Sequence, residues 1–95
     1  MTLVEQTYLG LHSVGLVNSR EAFSTQYLGK NPNWYSYQTH MRRDFSVSAA
    51  VECLRALKQH EHAATLDNKQ TQSIHKITQQ LDAYLREQHL AVAYA

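Results

Sequence analysis

The chain has 95 residues, 43% of them hydrophobic and 18% charged, with a formal net charge of +1 at pH 7. That length suits one compact domain, one Pro and three Gly exclude collagen-like and low-complexity classes, and the single cysteine, Cys53, excludes a disulfide framework and a Cys-rich zinc site. No apolar run approaches the roughly 20 residues a membrane span needs, and Met1-Thr2-Leu3-Val4-Glu5 lacks the basic start of a secretory signal, so a reducing, cytoplasmic setting is expected.

Helix signals dominate from the start. Thr2 and Glu5 have the spacing of a capping box, in which each side chain satisfies an orphan amide of the other. Leu3, Val4, Tyr8 and Leu11 follow at helical spacing, and Gly15 is a plausible stop. Asn18 or Ser19 is expected to cap a second helix carrying Ala22, Phe23, Gln26 and Tyr27, which runs to a left-handed Gly29. A third helix is expected over 31–42, with Asn31 as N-cap and Pro32 as its first residue, where a missing N–H costs nothing. It carries Trp34, Tyr35, Gln38 and Met41, with Arg42 and Arg43 in its last turn, complementing the dipole. Tyr35 is assigned to the core and Tyr37 to the exposed side.

Ser46 is expected to cap a fourth helix, whose stripe is Val47, Ala50, Val51, Leu54 and Leu57 and which fades at His60-Glu61-His62. Asp67 or Asn68 caps a fifth, longer helix with Ile74, Ile77, Leu81, Tyr84 and Leu85 as a heptad-like seam, followed by the apolar tail Leu90–Ala95. No strand-like alternation or Asn-Gly or Asp-Gly hairpin turn occurs. The expected fold is therefore all-α: a compact bundle of about five helices containing a helix-turn-helix, with residues 1–66 as its core and the C-terminal helix, 67–95, completing the same domain or dimerising.

Charge is unevenly spread. Residues 18–58 hold Arg20, Lys30, Arg42, Arg43, Arg55 and Lys58 against Glu21, Asp44 and Glu52, so a polyanion would bind there. Two short helices meeting at Gly29-Lys30-Asn31-Pro32 follow the helix-turn-helix plan, in which the second helix enters the major groove. Its candidate base-reading residues are Asn31, Asn33, Trp34, Ser36, Tyr37 and Gln38, since Asn and Gln pair bidentately with adenine and Ser serves as donor or acceptor. Arg20, Lys30, Arg42 and Arg43 are candidate phosphate contacts, which position without specifying sequence.

These residues resemble the Cro/repressor-type, lambda-repressor-like helix-turn-helix family. The resemblance runs over about 19–57: Ser19-Arg20-Glu21-Ala22-Phe23-Ser24, the turn glycine Gly29, the pair Tyr35-Ser36, and the capped helix from Ser46 through Leu54 and Leu57. Gly29 stands one residue later after Phe23 than the family spacing, and Arg20 and Thr39 replace that pattern's Gln and Glu. The resemblance implies a bacterial or phage-type transcriptional regulator, nucleoid-associated, repressing by occupancy of double-stranded DNA, with Arg20 on a phosphate and Asn31, Asn33 and Trp34 at the base-facing start of the recognition helix. Such proteins read two half-sites as two-fold dimers, so Ile74, Ile77, Leu81, Tyr84 and Leu85 are candidate dimer contacts; the alternative is that this seam folds back to complete the core.

Other chemistry is thinly represented. His60 and His62 point to different helical faces, His75 and His89 lie apart, and Cys53 with His60 gives only two ligands, so no metal site or cofactor is expected. Cys53 reads as a small buried hydrophobe. Without a Gly-rich phosphate loop, paired-carboxylate motif or nucleophile elbow, no enzyme activity is expected, and no small-molecule ligand is indicated. The competing reading is a non-enzymatic helical protein-interaction module that uses the last helix as its contact face.

Overall fold

The computed structural model describes residues 1–63 and 65–93, with side chains for 1–62 and 65–88. Five α-helices follow one another: α1 (Leu3–Ser13), α2 (Arg20–Ala22), α3 (Trp34–His40), α4 (Val47–Ala63) and α5 (Asn68–Ala93). A single π-turn, Phe23–Tyr27, continues α2. Tyr94 and Ala95 of the apolar tail, and the side chains of residues 89–93, lie outside the described residues.

The amino end of α1 is held twice. Thr2 and Glu5 form the capping box. The Asp44 carboxylate, far along the chain, accepts from the Leu3 N–H (2.9 Å), the Val4 N–H (2.9 Å) and the Phe45 N–H (2.8 Å). Together they satisfy the first-turn amides that an α-helix leaves unpaired. Bonding from the Thr2 backbone N–H, and then from its hydroxyl, holds the Glu5 carboxyl below its ordinary value. At the other end the Leu16 N–H returns to the Leu11 carbonyl (2.9 Å) and the Gly15 N–H to that of His12 (3.1 Å), with Gly15 left-handed at φ 77°. This is a Schellman turn, with glycine where a Cβ would be strained.

Of the two candidate caps for the second helix, Ser19 is used: its hydroxyl accepts the Ala22 N–H at 3.0 Å. A π-turn accommodates one more residue than an α-turn. The helix widens in this way over Phe23–Tyr27, and the Lys30 N–H then closes on the Ser24 carbonyl at 3.0 Å. Gly29 is left-handed at φ 65°, and a Cβ there would sit 3.3 Å from the Glu52 Cγ.

The start of α3 differs from expectation. Asn31 and Pro32 do not begin the helix. The Asn31 Oδ1 accepts the Asn33 N–H (3.0 Å), which folds 31–34 into an Asx-turn, and the helix starts at Trp34. Asn33, the N-cap, makes no side-chain cap bond. The buried Ser24 hydroxyl supplies one instead, accepting the Tyr35 N–H at 2.9 Å.

α4 is capped by Ser46, which accepts the Ala49 N–H at 3.2 Å, and runs through His60-Glu61-His62 to Ala63. Its inward face is Ala49, Ala50, Cys53, Leu54 and Leu57, whereas Val47 and Val51, placed in the apolar stripe by spacing, are exposed. Asp67 caps α5 reciprocally with Gln70: the Gln70 N–H donates to Asp67 (2.8 Å) and the Asp67 N–H to Gln70 (3.1 Å).

α5 packs on α1 and α4. Of the two alternatives for the α5 seam, folding back is the arrangement seen: Ile74, Ile77, Leu81 and Leu85 are buried within the chain, and the Tyr84 hydroxyl donates to the Phe45 carbonyl at 2.7 Å. The reason is area: helices of this length cannot enclose a core without the last one. Gly10 of α1 faces α5, where a Cβ would be in ordinary contact with the Ile77 Cδ1 at 3.4 Å. The Gln70 amide donates to the Val14 carbonyl (3.0 Å) and fastens α5 to the end of α1. On the opposite side Tyr8, Phe23 and Tyr35 form an aromatic cluster with centroids 4.9–5.5 Å apart, Phe23 meeting Tyr35 edge-on at 86°. This cluster sets α3 against the rest of the bundle.

Candidate nucleic-acid interface

α3 divides cleanly between two faces. Tyr35 and Gln38 are buried and Trp34 and Thr39 half-buried, while Asn33, Ser36, Tyr37, His40 and Met41 face outward. Among the candidate base readers, Asn33, Ser36 and Tyr37 therefore share one exposed stripe. Asn31 is also exposed, but its carbonyl oxygen is engaged in the Asx-turn.

Gln38 is a correction. It is 8% exposed, and its amide donates to the Asp44 carbonyl at 3.0 Å, so it faces inward and braces the loop after α3. Trp34 packs its ring beneath Lys30, whose Nζ lies 5.8 Å from the ring centroid, within cation–π range. The stripe adds two residues that sequence reading left out, His40 and Met41. Their spacing of three and four from Tyr37 was the available signal.

The carboxyl end of α3 repeats the turn that ends α1. The Arg43 N–H bonds the Gln38 carbonyl (2.8 Å) and the Arg42 N–H that of Thr39 (3.1 Å). Arg42 occupies the left-handed position at φ 56°, the one non-glycine residue with positive φ among the described residues. A side chain there costs about 1–2 kcal/mol relative to ordinary helical backbone. Arg42 and Arg43 thus stand just beyond the helix, which ends at His40, and both are exposed.

The four candidate phosphate residues remain unpaired with acid. Ion pairs among the described residues include Arg55–Glu52 (3.1 Å) and His75–Glu61 (3.7 Å), and none of Arg20, Lys30, Arg42 or Arg43 takes part in these. Asp44, beside Arg43 in sequence, is committed to backbone amides. Arg20 is exposed at the start of α2. Lys30 is the least free, since its ammonium donates to the Ser48 hydroxyl at 2.8 Å.

Away from this face the polar groups are engaged in holding the fold. The Tyr27 hydroxyl donates to the Leu16 carbonyl (2.8 Å) and lies 2.8 Å from the His60 Nε2, from which it accepts. Burial, and secondarily Cys53, pushes the Tyr27 hydroxyl up to about 12. Burial pushes the Cys53 thiol up to about 12 as well, so it stays protonated and unreactive at neutral pH. Tyr35 is likewise pushed up to about 12, by burial first and then by Glu5, with Arg20 opposing. Among the described residues no three His, Cys, Asp or Glu side chains gather as a metal site, and no helix is long and apolar enough to cross a membrane.

These features define an all-helical protein whose short helix α3, one face of it exposed, ends in two exposed arginines outside the ion pairs described above. The chain belongs to a family of unknown function, DUF6626, whose profile matches residues 4–93. No curated protein and no solved structure is significantly similar to it.

Proposed function

We propose that this protein is a sequence-specific DNA-binding transcriptional regulator that presents α3 to the major groove and represses by occupancy. The observation that carries the reading is Arg42. A strained backbone position that glycine fills at lower cost holds an arginine with no acidic partner, at the end of an exposed helix bearing Asn33, Ser36 and Tyr37. Residues kept in unfavourable conformations point to a role for their side chains. On this reading Arg20, Arg42 and Arg43 hold phosphates, Lys30 joins them by exchanging its Ser48 bond, and the α3 stripe meets base edges. The working place is then the nucleoid, in the cytoplasm.

The test is binding to a pool of genomic DNA fragments across a salt series, with bound fragments sequenced. An enriched sequence whose affinity falls as salt rises is expected. Replacing Arg42 and Arg43 together by Ala should weaken binding to all sequences and make the log–log salt slope shallower by about 1.8, or 0.9 per phosphate contact. No retention at low salt overturns the proposal. Exposed Val47 and Val51, one turn apart on α4, favour a second reading, a protein-interaction module. That reading predicts a partner whose binding survives the loss of both arginines.

A further inference from the structure

We infer that the α3 face reads thymine through its 5-methyl group, with Tyr37 and Met41 as the apolar contact; this rests on the DNA-binding reading above. The outward stripe of α3 is polar at Asn33 and Ser36 but ends in two large apolar side chains, Tyr37 at 53% exposure and Met41 at 43%. The Met41 N–H bonds the Tyr37 carbonyl at 2.9 Å, so the two residues sit one helical turn apart on the same face. Beside them stand Arg42 and Arg43, exposed and without acidic partners. An apolar pair flanked by unpaired cations suits an occupant that is apolar in patches and strongly anionic overall. The major groove is such a surface, and its apolar feature is the thymine methyl; the other groups presented there are hydrogen-bond donors and acceptors.

The pair is also held firmly. Directly behind it, the Tyr35 N–H is tied to Ser24, Gln38 to the Asp44 carbonyl, and the Arg43 N–H to the Gln38 carbonyl. A helix already fixed in this way presents the two side chains to a methyl group without a backbone ordering cost at the moment of binding. The polar half of the stripe and its apolar half then read different features of the same groove edge.

The experiment uses the full chain and the DNA sequence that it selects. The probe is resynthesised with deoxyuridine in place of thymidine, one position at a time, which removes a methyl and leaves base pairing unchanged. At the contacted thymines wild-type binding should weaken about fourfold per methyl, the loss expected for one buried methylene-sized group, and elsewhere it should not change. In the Tyr37→Ala, Met41→Ala double variant the ratio of thymidine to deoxyuridine affinity should fall to one at those positions. Equal wild-type binding to both probes, with sequence selection and salt dependence intact, overturns the thymine assignment and leaves DNA binding standing. A double variant that keeps the wild-type ratio moves the contact away from these two residues. Absence of any DNA binding removes both readings together.

Discussion

Helices α1 and α3 end on the same backbone turn and fill its left-handed position differently. Gly15 closes α1 at φ 77°, and Arg42 closes α3 at φ 56°. The first end is fastened to α5 by Gln70 and uses the residue that suits the backbone. The second lies on an exposed basic surface and uses one that does not. If Arg42 holds a phosphate as proposed, the first residue follows the turn and the second makes the turn bear the strain of a side chain.

The largest expected effect tests the first half of this contrast, the α1 side as a closed part of the core. Leu81→Ala should cost about 2–5 kcal/mol in urea unfolding, as for other fully buried leucines, with no change of oligomeric state by sedimentation. Dissociation of a dimer with stability preserved would return the α5 seam to an interface. A smaller effect sharpens the contrast directly. Arg42→Gly should gain about 1 kcal/mol, the left-handed cost less glycine's own entropy, while weakening DNA binding. Gly15→Arg should lose about 1 kcal/mol and leave DNA binding unchanged, because a Cβ at Gly15 meets nothing within 4 Å and only the backbone resists it. If Arg42→Gly neither stabilises nor weakens binding, the two ends are equivalent and the contrast fails.

The last effect is nil at neutral pH. Tyr27 and Tyr35 are each pushed up from 10.0 to about 12, and burial raises Tyr84 as well. The folded chain therefore keeps protons that the unfolded chain releases. Their contribution is whole below pH 10 and is lost as pH rises through 12. Urea midpoints should fall progressively across that window. Midpoints that stay level would show that these hydroxyls ionise as easily in the fold as out of it.

What sequence reading recovered was mostly short-range. The Thr2–Glu5 capping box, the Gly15 and Gly29 stops, the Ser46 cap and the inward Tyr35 beside an outward Tyr37 each involve residues within a turn or two of one another. What it missed depends on contacts across the chain. The Ser24 cap on α3 and the Asp44 cap on α1 join residues that no local pattern relates. The left-handed turn at Arg42 carries no glycine to announce it. The seam of α5 has the same periodicity whether it faces a second copy or its own α1 and α4. Gln38 is the exception: placing Tyr35 inward already places Gln38 inward three residues later, and its polar side chain drew the reading outward. The candidate interface was legible in its residues and charge, but not in its strain or in the apolar end of its stripe.

The Asp44 carboxylate has a consequence for the order in which the protein is made. A chain leaves the ribosome from its amino end, so α1 appears before the other helices. It has 11 residues, which is too short for a stable helix on its own. Its leading amides wait for a carboxylate some forty residues downstream, and its Gly10 face waits for Ile77. Although it is synthesised before the other four helices, α1 is therefore among the last to be completed, and it becomes a settled helix only after the basic turn and α5 have both emerged.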